Sequence, residues 1–317
     1  MLFGEYHLVE LVGEGGLGKV YRAYDIRTKE EVAIKFLHER YLEDDAFSGV
    51  FHRELLIHKS LQHPALVPIY AGRFQPPHCY IVSRFIDGWS LRSLLAHFGR
   101  CPPLVGLSIA IQIAAGLDAL HLRDLVHADL STANILIEKS GRAYLTDFGL
   151  TAFANPHDVR KNIFGTPGYY SPEHLINRPI AASSDVYVLG LLIYEMLDGQ
   201  KFIPAASASQ HANEILRRME NPRLGMIKCV APDLRADLLT LLRTCLEPMA
   251  EKRYASGEEV GLVLNKMLRR YRIHSPQQAV LEFLSDGLLS VTQSPALEQD
   301  IYWGNVPYQL DDLRFFR

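Results

Sequence analysis

The sequence predicts an α+β fold of two lobes, a small β-rich lobe with one helix followed by a larger, mainly helical lobe. Short apolar–polar alternations broken by Gly and Pro fill the chain up to Ile86. After Asp87-Gly88 the apolar residues instead recur at helical spacing in long runs. The chain has 317 residues, 48% of them hydrophobic, enough for two lobes that each bury a core.

Tyr6–Gly13 alternates and leads into a glycine cluster, so it reads as a strand. Val20–Tyr24 and Glu31–Leu37 are two further strands, and Phe51–Leu61 is the small lobe's helix. Leu66–Tyr70 and Cys79–Ile86 read as strands flanked by Pro and Gly. Pro103–Leu122 is a long helix, apolar on more than one face. Ser184–Leu197 is apolar nearly all round, hence buried, with Ser184-Asp185 as its cap. Helices follow near 209–219, 233–246 and 256–271, then a short capped one over Ser275–Leu284. Beyond it come Pro295 and an aromatic-rich end with Trp303, Phe315 and Phe316. The divisions are 1–86, 87–271 and a C-terminal extension over 272–317. The extension is expected to pack on the helical lobe, with a docking strand or dimer contact as the alternative.

Lys and Arg total 33 against 36 Asp and Glu, a formal charge of −3 with no strongly basic block, which argues against nucleic acid as a partner. The four cysteines are scattered without a CxxC pair, which fits a reducing compartment. The N-terminus lacks the basic and apolar regions of a signal peptide, and the most apolar stretch, Val186–Tyr194, is too short to span a bilayer. The expectation is a cytoplasmic protein without a transmembrane segment.

Gly13, Gly15 and Gly18 form a G-x-G-x-x-G-x-V loop with Val20. The loop continues into a strand, so it is a hairpin lid and not the helix-opening loop of a dinucleotide fold. Glycines let such a backbone approach phosphates and donate N–H groups. Lys35 in Val-Ala-Ile-Lys lies on the next strand, and Glu54 on the helix offers it a carboxylate. Taken alone, Lys35 reads equally well as a snorkelling edge residue. Asp129 and Asp147 each follow a short β-type run, with Asn134 between them. Together they form a set of hard oxygen ligands suited to Mg²⁺.

In order along the chain stand GEGGLGKV, VAIK, a helix Glu, HADLSTAN (127–134), DFG (147–149), GTPGYYSPE (165–173), Asp185 and Arg253. This series resembles the protein kinase superfamily, in particular the eukaryotic-like Ser/Thr kinases, over roughly residues 5–271. The resemblance implies the bilobal kinase fold, ATP and Mg²⁺ as cofactors, and Ser/Thr hydroxyls of proteins as substrates. Gly13, Gly15 and Gly18 would cover the phosphates, and Lys35, paired with Glu54, would hold the α- and β-phosphates. Asp129 would orient and deprotonate the substrate hydroxyl, while Asn134 and Asp147 would hold Mg²⁺. Val20, Ala33 and Leu136 would sandwich the adenine, with the C=O of Arg84 and the N–H of Ile86 bonding its edge. Ser83 falls at the gatekeeper position, and its small size implies a back pocket open to bulky inhibitors. His127, Phe148, His58 and Ile69 fall where the family stacks its regulatory spine. Glu173 and Arg253 would form a buried ion pair, and Asp185 would bond the catalytic-loop backbone. His121-Leu-Arg-Asp124 imitates the catalytic motif, but no Asn follows at the right spacing.

Two basic residues of the family pattern are missing. Ala128 stands where an Arg docks an activation-loop phosphate. The loop from Ala152 to Gly165 contains no Ser, Thr or Tyr, so acceptor and receptor are absent together. That pairing implies a kinase not switched by activation-loop phosphorylation. Ser131 stands where a Lys neutralises the transferring phosphoryl group, a loss on the order of 10²–10³ in rate by analogy with one lost oxyanion donor. A pseudokinase scaffold and a small-molecule kinase are the alternatives. The surviving Lys35, Glu54, Asp129, Asn134 and Asp147 argue against the first, and Glu173 with Arg253 against the second.

Overall fold

The computed structural model describes residues 1–15, 18–39, 61–75, 78–147, 152–153, 166–176, 178–204, 210, 214 and 232–289. The N-terminal lobe is an antiparallel sheet of β1 (Leu2–Phe3), β2 (Tyr6–Glu14), β3 (Gly18–Asp25), β4 (Glu31–Leu37), β5 (Ile69–Gln75) and β6 (His78–Arg84), ordered β1-β2-β3-β4-β6-β5. Alternation sends Ala23, Val32, Ile34 and Val82 to one buried face with Tyr6. Phe3 caps this core edge-on to Phe36 and Tyr80, with ring centres 4.8 and 5.1 Å away. The β3–β4 turn is held by Asp25, whose Oδ1 accepts from the Arg27 and Thr28 N–H groups.

The sequence places a strand at Leu66–Tyr70, but β5 runs from Ile69 to Gln75. Pro68 has no N–H for the ladder and offers only its carbonyl, which accepts from the Arg84 N–H at 2.9 Å. The strand therefore begins after it. The small-lobe helix expected at Phe51–Leu61, with Glu54 and His58, lies outside the described residues except for Leu61, as does Phe148.

The larger lobe opens with β7 (Gly88–Ser90) and α1 (Leu91–Phe98), capped by the Ser90 hydroxyl, which accepts from the Ser93 N–H. Then come α2 (Pro103–His121), β8 (Leu125–Val126), a 3₁₀ turn at Thr132–Asn134, β9 (Ile135–Glu138), β10 (Ala143–Leu145) and β11 (Ala152–Phe153). These strands make two small antiparallel sheets, β10-β9-β7 and β11-β8. α3 (Pro172–Leu175), α4 (Ala182–Asp198), α5 (Pro232–Cys245), α6 (Gly257–Arg270) and α7 (Pro276–Leu289) complete the lobe. The helix expected near 209–219 lies outside the described residues apart from Gln210 and Glu214.

α2 is the one described helix long and apolar enough to cross a membrane, although the sequence points to Val186–Tyr194 as the most apolar stretch. Its apolar side chains pack against α4, α6 and α7 in the core of the lobe. Gly257 brings α6 into backbone contact, since a Cβ there would lie 2.3 Å from the Ala114 carbonyl oxygen.

α4 starts at Ala182, ahead of the expected Ser184-Asp185 cap. Ser184 caps the helix from its third position, and Asp185 is turned to another task. The Ser184 hydroxyl accepts from the Ala181 N–H and donates to Glu173, while Asp185 bonds the loop after β8. α7 extends to Leu289 beyond the expected Leu284, and the Ser275 hydroxyl accepts from the Gln278 N–H at its start. Val280 and Leu284 are buried in the lobe's core. The aromatic end with Trp303, Phe315 and Phe316 lies outside the described residues.

Candidate active site

The short β8 feeds a loop whose shape is set by one buried carboxylate. Asp185 accepts from the His127 N–H at 2.8 Å and the Ala128 N–H at 3.1 Å. It also accepts from His121 Nε2 at 3.0 Å. His121 Nδ1 in turn accepts from the Gly257 N–H at 3.1 Å, so its proton sits on Nε2. The residue that imitates the motif in sequence thus anchors the carboxylate that anchors the loop at His127 and Ala128. Burial raises the Asp185 pKa, but the hydrogen bonds from His121 and the His127 backbone outweigh it and hold the carboxyl below its ordinary value.

His127 is fully buried, and burial lowers its pKa, so the ring is neutral. Its Nε2 donates to the Thr146 carbonyl at 3.1 Å, and Nδ1 accepts from the Asp129 N–H at 3.3 Å. The ring therefore joins the strand leading to Asp147 to the loop carrying Asp129.

The Asp129 carboxylate accepts from the Thr166 hydroxyl at 3.0 Å and from Asn134 Nδ2 at 3.2 Å. Burial first, then the nearby Asp147 charge, push its pKa up to about 6, against the two hydrogen bonds and Lys35. Asn134 Nδ2 also donates to the Asp129 carbonyl at 2.7 Å, which leaves the amide oxygen to meet a cation. Lys35 on β4 is ion-paired with Asp147. The Lys35–Asp147 pair and the bonded set of Asn134, Asp129 and Thr166 therefore form one polar cluster, joined by the charges of Lys35 and Asp147 acting on Asp129. The oxygens of Asp147 and Asn134 are a hard donor set that fits Mg²⁺.

Val20, Ala33, Ile86 and Leu136 are all buried. Ile86 and Leu136 share a cluster with Val67 and Tyr144. In the β2–β3 hairpin Gly13 pairs with Val20, and the Gly15 N–H donates to the Gly18 carbonyl at 2.9 Å. A Cβ on Gly18 would lie 2.0 Å from the Phe36 carbonyl oxygen, so this glycine is demanded by the β3–β4 contact itself. No described residue comes within 4 Å of a Cβ placed on Gly15.

Ser131 does not take over from the missing Lys. It is fully buried, and its Oγ has no hydrogen-bond partner among the described residues. Below the Thr166 segment, the Tyr169 hydroxyl donates to Glu195 at 2.7 Å and meets the Thr132 hydroxyl at 3.0 Å. Lys201 Nζ sits 4.5 Å from the centre of the Tyr169 ring. Neither Glu195 nor Lys201 is signalled by any motif. Arg253 grips Glu173 with two hydrogen bonds of 2.7 and 3.1 Å and stacks on Tyr187.

A lysine on a small-lobe strand facing acidic and amide side chains from large-lobe loops defines a class of two-lobed cleft proteins. The chain belongs to the protein kinase family: a model of the protein kinase domain matches residues 6–262. It is similar to serine/threonine-protein kinase PknA of Corynebacterium glutamicum, 29% identical over 89% of this chain and 60% of that protein. It is also similar to pkn2 of Myxococcus xanthus, 32% identical over 82% of this chain and 32% of that one. With PrkC of Bacillus subtilis the identity is 35% over 62% of this chain and 31% of the relative. The chain thus spans less than two thirds of the length of each of these relatives.

Proposed function

We propose that the chain is an ATP- and Mg²⁺-dependent kinase of protein Ser/Thr hydroxyls, working without activation-loop phosphorylation. The observation that carries this is the polar cluster of Lys35, Asp147, Asn134, Asp129 and Thr166. Bound MgATP would supply the phosphoryl group to be transferred. Lys35 would hold phosphate oxygens, and the oxygens of Asp147 and Asn134 would hold the metal. Asp129, with a pKa of about 6, is ionised at neutral pH and close enough to it to accept a hydroxyl proton. Thr166 and Asn134 fix its two oxygens. The Glu173–Arg253 clamp and the ordered Thr166–Ser171 stretch support a protein substrate over a small molecule.

Independence from loop phosphorylation rests on Ala128, which offers no charge, and on a loop with no acceptor from Ala152 to Gly165. The Asp185 hydrogen bonds hold the catalytic loop through its backbone N–H groups at His127 and Ala128. Location in the cytoplasm belongs to the same proposal. Radiolabelled ATP with a generic protein substrate tests it. Wild-type chain is expected to label Ser and Thr, and Asp129→Asn to abolish the label. Equal labelling by both, or none by the wild type, points to the pseudokinase. An activating phosphate on Thr151 overturns the regulatory part.

A further inference from the structure

The end of β6 expected to meet adenine is gripped by side chains outside every kinase motif. Arg84 Nη2 donates to Glu138 Oε1 at 2.7 Å, and Nη1 donates to the Tyr144 hydroxyl at 3.1 Å. The guanidinium also lies 5.6 Å from the centre of the Tyr144 ring. Glu138 ends β9 and Tyr144 is in β10, so Arg84 ties the last strand of the small lobe to the sheet of the large one. Tyr144 packs in one cluster with Ile86, the other expected hinge contact, and with Leu136.

The grip continues into the C-terminal helix. The second Glu138 oxygen accepts from the Ser140 hydroxyl, and the Ser140 carbonyl accepts from Gln277 Nε2 on α7 at 3.0 Å. Gly141, at φ +81°, lets turn and helix touch: a Cβ there would lie 2.2 Å from the Gln277 carbonyl oxygen. α7 lies wholly beyond the stretch that matches the protein kinase domain, 6–262.

We propose that Arg84, Glu138 and Tyr144 are positioning residues for the nucleotide hinge, and that α7 supports them through Gln277 and Ser140. The Arg84 side chain is 39% exposed, so its charge pair alone would contribute little. Its planar fork satisfies Glu138 and Tyr144 at once and so fixes an orientation, which a lysine cannot reproduce. The hinge carbonyl and N–H then sit at a set angle to Leu136 before any ligand arrives, which lowers the ordering cost of binding.

This rests on the ATP reading, and the experiment separates the two. A fluorescent N-methylanthraniloyl ADP is titrated into the full chain, and KM for ATP and kcat are measured beside it. Arg84→Ala and Glu138→Gln are expected to weaken nucleotide binding roughly fivefold and to raise KM for ATP more than they lower kcat. Arg84→Lys is expected to recover only part of the loss. Gln277→Ala is expected to weaken binding in the same direction, and Glu138→Gln/Gln277→Ala no more than Glu138→Gln alone. Thermal melting shows which variants fold, and Arg84→Lys and Glu138→Gln keep the side-chain size. Wild-type binding with unchanged affinity in Arg84→Ala and Glu138→Gln overturns the clamp. Additive losses in the double variant overturn the part of α7. A wild-type chain that binds no adenine nucleotide overturns the kinase reading and the clamp with it.

Discussion

Ala128 and Asp147 both hold backbones in the left-handed region, with φ of 66° and 62°. For a residue with a Cβ that conformation costs about 1–2 kcal/mol, offset at Ala128 by the N–H bond to Asp185. Asp129 and Ser131 carry the testable consequences at this scale. With a folded pKa of about 6, Asp129 gains its proton as pH falls through that value, so kcat/KM for ATP is expected to drop below about pH 6. A flat profile from pH 5 to 8 would contradict its role as base. Ser131 buries a hydroxyl that no described residue satisfies, a cost of about 1–3 kcal/mol. Ser131→Ala is therefore expected to raise the melting temperature by a few degrees while activity persists. A fall instead would show that the hydroxyl has a partner. Residue type and spacing singled out positions 35, 129, 134 and 147, and the structure pairs Lys35 with Asp147 and Asn134 with Asp129. The burial of Ser131 was not, since a serine reads alike on a surface and in a core.

Among elements, α3 and the turn before α6 are joined by Glu173 and Arg253. Burial raises the Glu173 pKa, but Arg253 outweighs it and leaves the carboxyl below its ordinary value. A lowered folded pKa adds stability above the unfolded value of 4.5, and that stability is lost as pH falls through the folded value. Arg253→Met is expected to cost about 3–5 kcal/mol at pH 7, read from urea unfolding, and less toward acid pH, where the buried Glu173 left unpaired in the variant takes up a proton. An equal cost at neutral and acid pH would assign the loss to packing against Tyr187. The helices α2, α4, α5, α6 and α7 were legible, because apolar periodicity survives whatever the partners are, whereas α1 at Leu91–Phe98 was not read from the sequence. The errors fell where a residue serves a distant group: Pro68 delays β5, and Asp185 faces the loop after β8 in place of capping α4, whereas Ser184 caps the helix from its third position while also reaching Glu173.

For the whole molecule, α7 shows that the large lobe does not end with α6. Val280 and Leu284 are each 1% exposed against the lobe's core. Leu284→Ala is expected to cost about 2–5 kcal/mol in urea unfolding of the full chain, against under 1 kcal/mol if α7 were only laid on the surface. By itself the sequence determined the order of motifs, the division into a β-rich and a helical lobe, and the joint absence of a docking Arg and a loop acceptor. Those are properties of residue type and spacing, which act locally. Only the tertiary structure decided that His121 supports Asp185, that Ser131 turns inward, and that Arg84 reaches Glu138, Tyr144 and, beyond them, α7. Each of these depends on side chains from separate elements meeting in a dry interior, and nothing in their spacing along the chain encodes that meeting.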